Sequence, residues 1–223
     1  MLPYTQIRVR ERKSRMIGIG TDKTRGFRDL PWSGILALAM FAAALFAAVR
    51  VAGWHVGLPI SLAGSNLSKV AQEFNALGFV APGMLMAFQA LRSRMRMPES
   101  AGRGERFAMW LWMLSGMAFA SMGVFSLDTR IGIDEGSNQH HAVAWYLWWS
   151  SAALGCIAAV FGREQRLRWF AVFAFVEILL GVWYLPSVAP VGVAQVFAVL
   201  AWMVWPFSRV GMLSRQKDEK SVI

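Results

Sequence analysis

The residues of this chain most able to do chemistry are an aspartate and a histidine, Asp128 and His141, with twelve residues between them. Asp128 ends one apolar stretch and His141 begins the next, so the two side chains are expected to meet where consecutive helices join. A carboxylate bonded to an imidazole fixes its tautomer and raises its basicity, as required of a metal ligand or a general base. The same contact also ties two helices together, so a purely structural Asp–His clasp is the alternative interpretation.

Polar residues near this pair extend the chemistry to metal-assisted hydrolysis. Zinc in a catalytic site takes three oxygen or nitrogen ligands and leaves one position for water. Asp128 and His141 are two candidate ligands, and His140 and Glu73 are candidates for the third. Ser61, in an earlier polar segment, is the candidate to assist Asp128 and His141 in catalysis. The sequence has no ligand motif such as HExxH, so zinc-dependent attack on a lipid ester or amide stands as one hypothesis beside the clasp.

Glu177 is the most unusual residue of the chain, because it lies about nine residues from either end of an apolar stretch. At a rise of about 1.5 Å per residue, its carboxyl group lies near the middle of a bilayer and should face other helices. One interpretation is a proton or substrate step in a small transporter. The other is a hydrogen bond to a second helix, for example to Gln195 or Gln89.

These residues lie in or beside six apolar stretches of about 17 to 21 residues each, close to the length with which a helix crosses a bilayer. The alternating pattern of a membrane β-barrel is absent, and a single spanning segment satisfies its own backbone only as a helix. The sequence therefore predicts an all-α, polytopic membrane protein, a bundle of six transmembrane helices. The predicted spans are residues 31–49, 71–91, 107–127, 142–161, 169–185 and 191–207.

Positive charge is distributed unevenly among the segments that flank these spans. Of the 23 Lys and Arg residues, eight precede the first span, five lie between the second and third, three between the fourth and fifth, and four follow the last. Only Arg50, Lys69 and Arg130 lie in the other connections. Because basic residues concentrate on the cytoplasmic side, both termini are predicted to be cytoplasmic, in the inner membrane, and the Asp128–His141 pair faces outward.

The net charge of +10 also bears on partners and on the tails. Most of the charge lies beside spans, where it orients helices and meets anionic lipid, so membrane lipids are expected partners and nucleic acid is not. Residues 1–30 are polar without a sustained period and are predicted to form a disordered cytoplasmic tail, followed by a transmembrane domain over 31–208 and a second tail over 209–223. A cleaved signal peptide ending in the first apolar stretch is the alternative to a retained first span.

Four short motifs lie in or beside the connections on the predicted outer side. They are Leu58-Pro-Ile-Ser61, Phe74-Asn75-Ala-Leu-Gly78-Phe79 with Pro82-Gly83 after it, Gly123-Val-Phe125-Ser-Leu-Asp128, and His141-Ala-Val-Ala144. Through these motifs residues 31–210 resemble the family known as domain of unknown function 998, small multi-span prokaryotic membrane proteins loosely similar to the Frag1 and DRAM group. The family pattern has an Ile-Ser in the first outer loop, a Phe-Pro-x-Asp after the third span and a His at the start of the fourth. Here Ser126 replaces that proline.

The resemblance implies a bacterial membrane protein with Ser61, Asp128 and His141 on one face, and it implies no particular reaction. Three functional hypotheses follow from the sequence. The first is a protein that binds lipid or a membrane protein partner through its outer polar cluster. The second is a metal-dependent hydrolase of membrane lipid esters or amides, and the third is a proton-linked transporter that uses Glu177.

Overall fold

The computed structural model of the protein describes residues 31–209, which form helices and connecting loops without any strand. The prediction of an all-α bundle is confirmed, because this part of the chain has six helices long and apolar enough to cross a membrane. The predicted tails, residues 1–30 and 209–223, lie outside the described residues except for Arg209. The six helices are α1 (Trp32–Val51), α2 (Ala71–Met95), α3 (Arg103–Val124), α4 (Gly136–Val160), α5 (Gln165–Val188) and α6 (Val191–Ser208).

The helix bounds differ most from the prediction at the connection between α3 and α4. Helix α3 ends at Val124, and α4 begins at Gly136 rather than at residue 142. Asp128 therefore lies in the loop, whereas His140 and His141 lie in the first turns of α4. The difference arises because hydropathy marks only the part of a helix within hydrocarbon, and α4 begins with polar residues before that part.

One end of the bundle, the loop end, carries the two longest connections between helices, residues 52–70 and 125–135. These two loops contact each other directly, since the backbone N–H of Asn66 donates a hydrogen bond to the carbonyl of Leu127 at 3.3 Å. The first loop contains a short 3₁₀ helix, Ile60–Gly64. The polar residues that the sequence singled out lie at this end, apart from Glu177 and Gln89.

The opposite end, the terminal end, carries the connections of residues 96–102 and 161–164. Glu105, buried in the first turn of α3, joins these elements. Its carboxylate accepts hydrogen bonds from the backbone N–H groups of Arg163 and Glu164, the latter at 2.8 Å. Because these N–H groups immediately precede α5, the carboxylate also complements the positive end of that helix dipole.

Helices α2 and α3 approach most closely where two glycines face each other. A Cβ atom on Gly83 would lie 2.6 Å from the carbonyl oxygen of Gly116, and a Cβ on Gly116 would lie 2.7 Å from that of Gly83. The same added atom on Gly83 would lie 2.5 Å from the backbone nitrogen of Ala120. The helices therefore touch through their backbones, a close approach that small residues allow.

Aromatic side chains fill the centre of the bundle around Phe119 of α3, which is fully buried. Its ring lies 5.1 to 6.4 Å, centroid to centroid, from the rings of Phe41, Phe79, Trp148 and Trp202. These four residues belong to α1, α2, α4 and α6. One interior ring thus holds five of the six helices around a common core.

Two helices widen into a π turn in their loop-end halves, α2 at Asn75–Val80 and α5 at Leu180–Tyr184. In both helices a proline follows the π turn by two residues, Pro82 in α2 and Pro186 in α5. Proline has no N–H to donate, and its ring crowds the carbonyl four residues earlier. A wider turn at this point relieves that crowding and keeps each helix continuous.

Large apolar side chains cover much of the outer surface of the bundle. Helices α1 and α5 are the most peripheral, with 28% and 22% of their apolar windows buried. Phe46 of α1 and Phe173 of α5 are among their exposed residues. A surface of this composition is stable in contact with lipid and not with water, which agrees with a membrane protein.

Candidate functional site

A cavity of about 330 Å³ lies at the loop end of the bundle. It is enclosed by residues 59–62 of the first loop, by α4 and by α6, with Phe79 of α2 and Met122 of α3 on its inner side. Most of the lining is apolar. Six lining side chains carry a group that can form a hydrogen bond: Ser61, Asn138, His141, Trp145, Tyr146 and Gln195.

The imidazole ring of His141, which lines the cavity, is held in place by hydrogen bonds to two backbone carbonyls. Its Nδ1 atom lies 3.0 Å from the carbonyl oxygen of Met122 and 2.9 Å from that of Phe125, at the end of α3. Because both partners can only accept, Nδ1 carries the hydrogen, and a neutral ring then has a free lone pair on Nε2. No group among residues 31–209 forms a hydrogen bond with Nε2, so this atom is left for a ligand.

Asn138 lies one turn before His141 on α4 and holds the loop above the cavity. Its Oδ1 accepts a hydrogen bond from the backbone N–H of Asp128 at 2.7 Å. Its Nδ2 donates to the carbonyls of Asp128, Gly132 and Ile131 at 2.8, 3.0 and 3.2 Å. The amide is fully engaged with the backbone, so its role at the cavity is to position the wall.

The first loop is held against α6 by a second set of hydrogen bonds. The backbone N–H of Ile60 donates to Oε1 of Gln195 at 2.8 Å, and that of Gly192 donates to the carbonyl of Val56 at 2.9 Å. These bonds bring Ser61 into the wall of the cavity that also contains His141. No hydrogen bond joins the Ser61 hydroxyl to His141 within the described part of the chain.

Asp128 does not form the expected clasp with His141. Its carboxylate accepts hydrogen bonds from Arg130 Nε and Nη2 at 2.9 and 2.7 Å and from Asn66 Nδ2 at 2.7 Å. Asp128 lies four residues beyond the end of α3, within reach of Arg130 two residues later, while His141 donates to backbone carbonyls instead. The hydrogen bonds from the side chain and backbone of Arg130 lower the pKa of Asp128 from 3.8 to about 2.

The four predicted metal ligands are not assembled into a ligand set. Within residues 31–209, no group of three or more His, Cys, Asp or Glu side chains lies close enough to hold a metal ion. His140 points away from the cavity and stacks on Phe125, with ring centroids 5.0 Å apart, and Glu73 is exposed on α2. The structure does not bring together Asp128, His141, His140 and Glu73, the ligands expected for zinc, because each side chain is engaged by different neighbours or exposed.

Glu177 of α5 also lacks the partners expected for it. Gln195 accepts from Ile60, and Gln89 accepts from Ser33 near the terminal end, so neither reaches Glu177. The Oε2 atom of Glu177 is buried without a hydrogen bond to any described residue. Glu177 does not line the cavity, and it belongs to no polar pathway in this part of the chain.

Asn138 is the residue that the sequence interpretation missed. Asn138 and His141 are three positions apart, a spacing that places them on one face of a helix. That signal was present in the sequence, but it is visible only if α4 is known to begin at Gly136. A helix start placed at residue 142 leaves Asn138 in the preceding loop, where this spacing carries no meaning.

No family model, curated protein or solved structure matches the chain. The function must therefore be argued from the cavity. A largely apolar space with a few fixed, neutral hydrogen-bonding groups is suited to hold a small or amphipathic molecule. It offers no cluster of metal ligands among the described residues and no hydrogen-bonded nucleophile and base.

Proposed function

We propose that this membrane protein binds an amphipathic molecule of the bilayer, a lipid, in the cavity at its loop end. The observation that carries the proposal is the state of His141. Two carbonyls fix its ring through Nδ1, and its Nε2 has no protein partner within residues 31–209, although the residue is buried in the cavity wall. Nε2 is not among the fully buried, unpaired polar atoms of the described residues, so it can be reached from the cavity, and a ligand hydroxyl or amide N–H could donate a hydrogen bond to it.

The position of the cavity supports a lipid rather than a water-soluble ligand. His141 lies five residues after the start of α4, about 7 Å along the helix at 1.5 Å per residue. Trp145 and Tyr146 follow one turn deeper in the same wall, and amphipathic rings of this kind favour the boundary between headgroups and hydrocarbon. His141 thus lies near headgroup level with Trp145 and Tyr146 one turn deeper, and apolar loop residues such as Leu127 and Ile133 line the outer part of the cavity.

Binding is favoured over the hydrolase and transporter hypotheses by the contacts of the polar residues. A general base must reach the proton that it removes, and Ser61 is not hydrogen-bonded to His141. The carboxylate of Asp128 pairs with Arg130 outside the cavity wall. Glu177 is likewise absent from the cavity lining.

We also propose that the terminal end faces the cytoplasm of a prokaryotic cell, so that the cavity lies on the outer side of the inner membrane. The connections at the terminal end, together with the helix turns beside them, contain eight of the twelve Lys and Arg residues of positions 31–209, which supports this orientation. The resemblance to the domain of unknown function 998 family supports the prokaryotic origin. In intact cells of a Cys156→Ala background, a membrane-impermeant maleimide should label Arg130→Cys and not Glu99→Cys, and the reverse pattern would contradict the orientation.

The lipid proposal is tested by filling the cavity. Ala142 of α4 lines the cavity and its neighbour Val143 does not, since Val143 is 60% exposed on the outer face of the helix. The wild type, Ala142→Phe and Val143→Phe are purified in mild detergent, and their retained lipids are extracted and quantified by mass spectrometry.

We expect one class of lipid to be retained in a fixed ratio by the wild type and by Val143→Phe, and to be lost from Ala142→Phe. Equal retention by all three proteins would contradict the proposal. Thermal melting of the three proteins shows whether each variant is folded, and a loss of retained lipid is interpreted only for a folded variant.

A further inference from the structure

We propose that the lipid bound in this cavity is an uncharged, single-chain amphiphile with a hydroxyl or amide headgroup, such as a monoacylglycerol, and that it arrives sideways from the membrane past Tyr146. The proposal rests on the lipid site described above. It adds the chemical class of the ligand and its route.

The charge of the lining selects against an ionic headgroup. Apart from the imidazole of His141, no acidic or basic side chain of residues 31–209 lines the cavity. The nearby carboxylate of Asp128 is paired with Arg130 outside the wall. A phosphate or carboxylate in this space would be desolvated without a cation to balance it, at a cost that an uncharged headgroup avoids.

The hydrogen-bonding groups of the lining match a hydroxyl or an amide. His141 Nε2 is an acceptor without a protein partner among the described residues. Gln195 accepts from Ile60 through Oε1, which leaves its amide nitrogen as a donor without a hydrogen bond to any described group. Ser61 can act as either. A ligand hydroxyl that donates to His141 and accepts from Gln195 would satisfy both side chains at once.

Two residues that line the cavity are exposed at the protein surface, Ile133 in the second loop at 72% and Tyr146 at membrane depth. Tyr146, which lines it, is 61% exposed and lies ten residues after the start of α4, about 15 Å along the helix axis. Helix α4 has 25 residues and is about 37 Å long, more than the roughly 30 Å of a hydrocarbon core. Even if the surplus length projects entirely at the loop end, Tyr146 still lies within the bilayer, so the opening beside it faces lipid.

The packing of α5 explains why an opening exists here. Its first part, Gln165–Leu179, packs against both α4 and α6. Its last part, residues 180–188, packs against α6 and not closely against α4, and α4 and α6 do not pack closely against each other. This change coincides with the π turn and Pro186. The backbone of α4 is therefore farther from the α5–α6 pair in the loop-end half of the bundle, and large aromatic side chains lie between them.

Three aromatic rings cross this gap, those of Tyr146 at the opening, Trp149 about one turn deeper on α4, and Trp183 of α5; together they are called the aromatic bridge. The rings of Tyr146 and Trp149 lie 6.5 Å apart, and those of Trp149 and Trp183 lie 5.8 Å apart, edge to face. The bridge joins α4 to the π turn of α5. It forms a floor on which an acyl chain that leaves the cavity would rest.

The volume of the cavity favours one chain. About 330 Å³ is at the low end of the range for small-molecule sites, enough for a headgroup and the first part of a single chain. The remainder of that chain would leave past Tyr146 and lie on the aromatic bridge. Two chains attached to one glycerol would have to pass the same opening side by side.

The experiment uses a photoactivatable monoacylglycerol with a diazirine in its acyl chain and the full-length protein in phosphatidylcholine nanodiscs. Labelled positions are identified by mass spectrometry of peptides. We expect saturable labelling of residues 145–149 and of the peptide with Trp183. Monooleoylglycerol should compete, whereas lysophosphatidylglycerol and oleate should need at least about a hundredfold higher concentration because of their charge.

Two matched pairs of variants test the named contacts. An asparagine at position 141 keeps an N–H donor in place of Nδ1 but has no acceptor in place of Nε2. His141→Asn should therefore weaken the binding of monooleoylglycerol about tenfold. The control variant His140→Asn should leave this binding unchanged. Trp183→Ala removes the far side of the aromatic bridge and should speed release of the probe several-fold. Trp169→Ala, at an exposed residue of the same helix near the terminal end, should leave release unchanged.

The outcomes separate this proposal from the one on which it rests. Equal competition by lysophosphatidylglycerol and oleate, with labelling still lost in Ala142→Phe, would overturn the uncharged headgroup and leave the lipid site standing. Labelling confined to the loop around Ile133 would overturn the route past Tyr146. Absence of saturable labelling with every lipid, unaffected by Ala142→Phe, would overturn the lipid site itself.

Discussion

We expect the side chain of Asn138 to stabilise the loop end more than any other side chain does, and replacing it with alanine tests that role. Its side chain is 3% exposed, and its amide accepts one hydrogen bond and donates two hydrogens to three carbonyls. At about 0.5–1.5 kcal/mol for each of three net hydrogen bonds, Asn138→Ala should cost about 2–4 kcal/mol. For a protein of this size that corresponds to a melting temperature lower by about 5–15 °C.

The isosteric substitution Asn138→Asp provides a second test of this prediction. Asn138→Asp keeps the shape and the acceptor for the Asp128 N–H, but it places a carboxylate oxygen against three carbonyl oxygens. It should therefore destabilise the protein at least as much as Asn138→Ala. The exposed neighbour Gln139 provides the control, because Gln139→Ala should leave the melting temperature unchanged.

The assay is thermal melting in one detergent at one scan rate, followed by far-UV circular dichroism. Asp128→Ala belongs in the same series, because an Asp128–His141 clasp would make it the most damaging change. We expect Asp128→Ala to lower the melting temperature less than Asn138→Ala does. The explanation of the loop end would be refuted if Asn138→Ala melted with the wild type, or if Asp128→Ala were the more damaging variant.

Three further predictions concern other parts of the molecule. Gly116→Leu should prevent folding, since the leucine side chain would meet the backbone of α2. Ala43→Leu, on an exposed face of α1, should be tolerated. Equal yields of folded protein from the two variants would contradict this prediction. An NMR titration of the Asp128 carboxyl should have its midpoint near 2 and move toward 3.8 in Arg130→Gln. Because the pKa of Asp128 is lowered in the folded protein, the stability that this carboxylate contributes is present above about pH 4 and is lost as pH falls through 2. A titration midpoint near 3.8 in the wild type would contradict the pairing of Asp128 with Arg130. Glu177→Gln should leave the melting temperature unchanged or raise it, because no described group bonds the carboxylate, and marked destabilisation would reveal a partner.

The helical bundle could be predicted because lipid imposes two strong constraints on a sequence. Each span must be apolar over about 20 residues, and its backbone must be satisfied as a helix. The bounds of α4 were predicted less well for the same reason. Its first two turns, with Asn138 and His141, extend the helix beyond its apolar part, where hydropathy carries no signal.

The site was harder to predict because residue type does not say which atoms a residue will use. Asp128 serves the loop end through its backbone, which Asn138 holds, while its carboxylate turns to Arg130. His141 donates its Nδ1 hydrogen to backbone carbonyls, which are present whatever the residue types are. Ser61 and His141 do line one cavity, but the hydrogen bonds that bring the first loop there involve the backbone of Ile60.

The most direct test of the lipid site is native mass spectrometry of the protein titrated with monooleoylglycerol, wild type beside Ala142→Phe. A filled cavity removes the site without changing the lipid-exposed surface of the bundle, so nonspecific adducts should be equal in the two proteins. We predict a single saturable adduct on the wild type that is missing from Ala142→Phe. The same unsaturable series of adducts on both proteins would contradict the conclusion that this cavity binds lipid.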